Sequence, residues 1–109
     1  MTAAIERFRV RHGAANLACV RFGRGEPLLC AHALGFSKET FVEAADVFGE
    51  RFSCVAVDQR GHGETTVDGK DAPLTAQVMA DDLVAVLNHV GWPAAVLGGT
   101  SLGAATTLL

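Results

Sequence analysis

The stretch richest in chemistry is VLGGTSLGAATTLL, residues 96–109, in which Ser101 stands between Gly99 and Gly103. A serine at a tight turn between a parallel strand and the next helix projects its hydroxyl above the carboxyl end of the sheet. Ligands bind there in such folds. Glycines on either side remove collisions with the neighbouring strand and helix. A helix starting at Ser101 aims its free N–H groups and positive dipole end at whatever the hydroxyl attacks. The pattern points to a nucleophile for acyl transfer. A glycine-rich turn whose serine only caps the helix has the same spacing, so both readings stand on this motif alone. Nucleotide binding has little support, because no G-x-G-x-x-G or G-x-x-x-x-G-K run is present.

Two more constellations follow strand-like runs. His32-Ala33-Leu34-Gly35 comes directly after an apolar run. A small, glycine-bearing turn there can aim a backbone N–H into the space above the sheet. Acyl transfer needs two such donors for the developing oxyanion, each worth roughly 2.7–4 kcal/mol of barrier. The N–H groups of Leu34 and Leu102 are the candidates. His32 itself reads either as a strand-end residue that orders its own loop or as a catalytic base, the first being favoured. Asp58-Gln59-Arg60-Gly61-His62-Gly63 is the third constellation. Here Asp58 and Arg60 suit loop ordering by hydrogen bonds and ion pairing, with the glycines at positive φ. His62, between glycines, also invites a catalytic reading, but loop ordering is favoured.

The elements that would position these residues can be read from hydrophobic period. Residues 5–12 and 17–22 alternate and are joined by a short turn, as in a β-hairpin. Residues 28–33 and 52–58 are continuous apolar runs, as in strands covered on both faces. Between them the period changes: Ser37 can cap a helix over 38–48, with Phe41, Ala44, Ala45 and Phe48 on one side. Thr75 can cap a second helix, with Val78, Leu83, Val84, Leu87 and Val90 as its stripe and Gly91 and Pro93 at its end. Residues 94–100 form the last strand, before a helix at Ser101. The order β-β-β-α-β-α-β-α predicts an α/β fold, a mostly parallel sheet with a leading antiparallel hairpin and helices on both faces.

Composition narrows the function classes. The chain has 109 residues, 50% hydrophobic and 19% charged, enough apolar content for one packed domain. A net charge of −3 with scattered basic residues argues against nucleic-acid or anionic-membrane partners. No signal peptide or membrane-length apolar run is visible, so a cytoplasmic location is expected. Cys19, Cys30 and Cys54 lack any C-x-x-C pair and read as buried reduced thiols, with no metal site.

Together and in this order, the three constellations resemble the α/β-hydrolase superfamily, over residues 27–109. AVDQRGHGET is similar to that family's D-x-R-G-x-G-x-S segment, with Thr65 where serine is usual. HALG resembles its oxyanion loop, with Ala33 replacing the common glycine, and GGTSLGAAT matches the nucleophile elbow. The resemblance implies Ser101 as nucleophile, the N–H groups of Leu34 and Leu102 as oxyanion donors, and Gly99 and Gly103 as supports of the elbow. It implies no cofactor and a small-molecule substrate: an ester, a lactone or an activated carbonyl compound. The family's order is serine, then acid, then histidine, whereas His12, His32, His62 and His89 all precede Ser101. The expectation is that residues 1–109 are the N-terminal portion of a single hydrolase domain, inactive alone. The C-terminal strands, cap, acid and histidine would come from a following region or a complementing chain. A non-catalytic binding or receptor protein of this fold, or a truncated gene product, are the alternatives.

Overall fold

The computed structural model describes residues 4–33, 35–68 and 75–99. Six strands form one mixed sheet: β1 (Ile5–His12), β2 (Ala15–Gly23), β3 (Glu26–Ala31), β4 (Phe52–Val57), β5 (Thr66–Val67) and β6 (Val96–Gly99). Their spatial order is β1-β2-β4-β3-β6, with β5 alongside β2. The hairpin β1–β2 is antiparallel, as is β2 with β4 and with β5. Strand β3 is parallel to both β4 and β6. The α/β architecture expected from the element order is therefore present, and no helix among the described residues is long and apolar enough to cross a membrane.

Each face of the sheet carries its own apolar layer. On one face Val10, Leu17, Leu29, Val55 and Val57 pack with Leu83 and Val86 of helix α3 (Ala76–Val90). On the other, Val20, Phe22, Cys30, Cys54 and Ala56 pack with Ala45, Phe41 and Val42. Successive side chains of β2 and β4 enter opposite layers; β4 accordingly reads as a continuous apolar run, whereas β2, expected to alternate, is also buried on both faces. All three cysteines are buried free thiols.

Helix α3 keeps the expected caps. Thr75 Oγ1 accepts the Val78 N–H at 3.1 Å, and Gly91 takes φ 77° to close the C-terminus, where the Trp92 N–H reaches Leu87 O at 3.0 Å. Its buried face differs from the expected stripe: Met79, Leu83 and Val86 point inward, whereas Val84 is exposed. Val84 is one residue past Leu83, about 100° around the helix, and so leaves the core side.

The single helix expected over 38–48 is two short turns, α1 (Glu39–Val42) and α2 (Ala45–Phe48). The Ser37 hydroxyl accepts the Glu39 N–H at 3.2 Å, while Lys38, the residue directly before α1, makes no side-chain cap bond. At the junction Ala44 adopts φ −97°, ψ 8°, and bonds of the i→i−3 type replace the α-helical ones. This break lets Phe41 and Val42 from the first turn and Ala45 from the second reach the same layer.

Candidate functional site

The register sets the site. Ala31 of β3 lies opposite both Val57 of β4 and Gly99 of β6. The three adjacent parallel strands β4, β3 and β6 therefore reach one level at their carboxyl ends, and His32 and Asp58 leave the sheet there. Ser101 follows two residues after Gly99. Ser101, Leu102 and Gly103 lie outside the described residues, as does Leu34.

The segment after β3 is pinned at both ends to consecutive residues of the loop after β4. At the front, His32 is fully buried. Its Nε2 accepts the Gln59 N–H at 2.9 Å, so the ring proton sits on Nδ1, which donates to Ala33 O at 2.8 Å. Gln59 Nε2 also donates to His32 O at 2.8 Å. Burial lowers the His32 pKa, partly offset by the bond to Ala33 O, and keeps the imidazole neutral. Both ring nitrogens are thus engaged, which leaves His32 no lone pair with which to accept a proton from a nucleophile. The Ala33 carbonyl also accepts the Phe36 N–H at 3.0 Å, closing a four-residue turn in which Gly35 takes φ 81°. At the rear, the Lys38 N–H donates to Asp58 Oδ1 at 2.7 Å.

Asp58 has no solvent exposure and its carboxylate is saturated by donors. Besides the Lys38 N–H, Oδ2 accepts the Lys38 ammonium at 2.6 Å and the Glu64 N–H at 2.8 Å. Burial alone would raise the Asp58 pKa, but these bonds outweigh it and hold it below the usual carboxylate range. Lys38 shows the mirror balance: burial opposes its charge, bonds to Asp58 and Glu64 more than compensate, and its pKa is raised. The backbone of the loop wraps the carboxylate closely. A Cβ on Gly63, at φ +52°, would stand 2.2 Å from Asp58 Oδ2. Thr65 completes the loop, donating to Asp58 O at 2.6 Å and accepting the Ala18 N–H at 2.9 Å.

Arg60 is drawn to the opposite side. It does not pair with Asp58 but forms a two-point contact with buried Asp82 of α3, at 2.7 and 3.1 Å. His12 Nδ1 also reaches Asp82, at 2.6 Å. His62 stacks at a tilt against His32, with ring centroids 4.7 Å apart, and its Nδ1 lies 2.9 Å from Arg60 O. The structure thus brings His32, Asp58 and His62 together and sends the Arg60 side chain to the helix. Lys38, Glu64 and Asp82 belong to this arrangement and carry no sequence signal of their own: Lys38 and Asp82 stand outside any spaced motif, and Glu64 falls at a variable position of the D-x-R-G-x-G-x-S segment. A hollow of about 500 Å³ opens beside the turn, with Gly35, Phe36, Ser37, Gly63 and the carboxylates Glu39 and Glu43 among its lining residues. Among the described residues no group of three or more His, Cys, Asp or Glu side chains is arranged to hold a metal ion.

Comparison with known proteins bears on the same segment. Residues 26–109 match the model of a family described as the alpha/beta hydrolase fold. A 2-(acetamidomethylene)succinate hydrolase of Mesorhizobium japonicum is 32% identical over 96 residues, 88% of this chain and 34% of that protein. An (E)-2-((N-methylformamido)methylene)succinate hydrolase of Acinetobacter baylyi is 28% identical over 85 residues, 78% of this chain and 32% of its own length. The crystal structure of an E-2-(acetamidomethylene)succinate hydrolase superposes with a TM-score of 0.84 at 30% identity, over 96% of this chain and 38% of that one. The chain spans about a third of the length of the curated relatives it matches.

Proposed function

The chain belongs to the alpha/beta hydrolase fold family, and from that premise we propose that it carries the nucleophile and oxyanion turn of a serine hydrolase. The proposed substrate is a small ester, lactone or activated carbonyl compound. Names of the relatives contain acetamido and formamido groups, so we include amides of small acids in that class.

The observation that carries the reading is the shared level of Ala31, Val57 and Gly99. It supports a strand–turn–helix exit for Ser101 beside the turn that follows His32. In the proposed reaction Ser101 Oγ attacks the carbonyl carbon and its proton passes to a histidine. The oxyanion is met by the N–H groups of Leu34 and Leu102. Collapse expels the leaving group with a proton, and water then hydrolyses the acyl-serine to release the acid. The two donors to the Ala33 carbonyl favour this role for Leu34. A trans peptide points its N–H opposite its C=O, so a carbonyl held down by His32 and Phe36 favours a following N–H directed away from them.

The base is a separate matter. His32 is excluded by its two bonds, and in the family order the acid and histidine follow the serine. We propose that the remainder of a protein about three times this length supplies both. The test is p-nitrophenyl acetate hydrolysis by the complete protein. Ser101→Ala is expected to remove turnover, while His32→Gln and His62→Gln retain a measurable rate. Turnover that persists in Ser101→Ala refutes the assignment.

A further inference from the structure

We propose that Lys38 is a positioning residue for the oxyanion turn: its buried ammonium keeps Asp58 ionised, and Asp58 in turn anchors the rear of the segment 33–38. This inference rests on the serine-hydrolase reading for its consequence in catalysis but not for its geometry. The Lys38 side chain is 3% exposed and that of Asp58 is 0% exposed. Ammonium and carboxylate meet at 2.6 Å, and Glu64 Oε1 accepts from the same ammonium at 2.8 Å.

The logic lies in how the segment is held. Its front is tied to Gln59 through His32, and its rear is tied to Asp58 through the Lys38 N–H. That rear bond needs an acceptor at Oδ1, while the Glu64 N–H needs one at Oδ2. The ionised carboxyl offers both oxygens as full acceptors, whereas protonation turns one of them into a donor and a much weaker acceptor. A carboxylate in a dry site takes up a proton unless a cation compensates its burial. Lys38 is the cation in contact with Asp58. The other groups that bear on it are Arg7 of β1, His32 at the end of β3 and Cys19 of β2, with Glu64 on its own loop and Glu39 beside Lys38. None replaces Lys38: Arg7 is committed to Glu39 at 2.6 Å, His32 is neutral, and burial pushes the Cys19 thiol up to about 12.

Removing the ammonium therefore moves Asp58 protonation upward in pH. A protonated Asp58 holds one of its two backbone donors more weakly and loosens the rear of the turn. The experiment uses the complete protein and compares Lys38→Met, Lys38→Gln and Lys38→Arg with wild type. The rate of Ser101 labelling by a fluorophosphonate probe is followed from pH 5 to 9. Taking the ratio of variant to wild type cancels the limb due to the catalytic histidine. For Lys38→Met and Lys38→Gln that ratio is expected to be about tenfold or more below unity at the acid end and to recover with rising pH. For Lys38→Arg, which keeps the charge, it stays flat. Hydrogen–deuterium exchange of peptides covering 33–38 gives a readout that needs no activity. The neutral variants are expected to exchange faster at the Phe36 amide at low pH, with β2 and β4 unchanged. A flat ratio together with unchanged exchange in both neutral variants overturns the proposal. Wild-type protein that fails to label refutes the serine-hydrolase reading alone, since the exchange comparison still decides the role of Lys38.

Discussion

Gly63→Ala tests how tightly the loop after β4 closes on Asp58. Among the glycines at left-handed φ, three separate backbone strain from collision: Gly35, Gly63 and Gly91. At Gly35 (φ +81°) and Gly91 (φ +77°) an added Cβ meets nothing within 4 Å. There alanine costs only the left-handed penalty of roughly 1–2 kcal/mol, less a few tenths regained from a stiffer unfolded chain. At Gly63 the same penalty applies, and the Cβ would also lie 2.2 Å from Oδ2 and 2.6 Å from Oδ1 of Asp58. Restoring van der Waals distance requires a separation of about 1.2 Å. The carboxylate cannot yield that much while it holds donors at 2.6, 2.7 and 2.8 Å. At least one charge-assisted hydrogen bond is lost, about 1.5–3 kcal/mol. The total is about 2–5 kcal/mol, against about 1 kcal/mol for each control. In a protein of the relatives' size this separates melting temperatures by several degrees, at roughly 2–4 °C per kcal/mol. The assay is urea and thermal unfolding of the three alanine variants of the complete protein. A Gly63→Ala variant within about 0.5 kcal/mol of Gly91→Ala would show that the loop does not clasp the carboxylate, because the error of such comparisons is of that size.

Other outcomes follow from the same contacts. His32 is held neutral with its pKa below the ordinary 6.5, so the unfolded chain binds a proton that the folded chain refuses. Stability is expected to fall as pH drops below about 6.5, and His32→Gln flattens that limb in denaturation curves at pH 5.5 and 7.5. Asp58, with its pKa below the ordinary 3.8, adds a second loss only under stronger acid. Arg60→Met leaves Asp82 buried without its two-point partner and is expected to cost about 3–5 kcal/mol. Adding Asp82→Leu recovers most of that, which a denaturation double-mutant cycle measures.

How far the sequence carried the fold depended on whether a residue's role was set locally. The hairpin, the buried strands and the two caps of α3 were legible, because alternation, apolar runs, Thr75 and Gly91 each act through neighbours in the chain. The break at Ala44 was not, since a helix-period pattern is unchanged when the backbone shifts at one residue to keep Ala45 on the sheet. Val84 misled for a related reason: an apolar residue beside the stripe looks like part of it, while Met79 and Val86 define the buried side. In the site, the glycine-bearing loops after β3 and β4 announced themselves by composition. Lys38 did not, because its partners Asp58 and Glu64 lie 20 and 26 residues away and meet it only once the strands pair. Asp82 was hidden likewise, 22 residues from Arg60 on a helix that reads as amphipathic. Ser101, Leu34, Leu102 and Gly103 stand on the sequence motif and the family match, being outside the described residues.

Active-site labelling decides whether Ser101 is the nucleophile. The complete protein is treated with a fluorophosphonate probe, digested, and the modified peptide sequenced by mass spectrometry. One labelled serine is expected, Ser101, with labelling abolished in Ser101→Ala and slowed when the histidine base is removed. Labelling of another serine, or labelling that survives Ser101→Ala, would contradict that assignment.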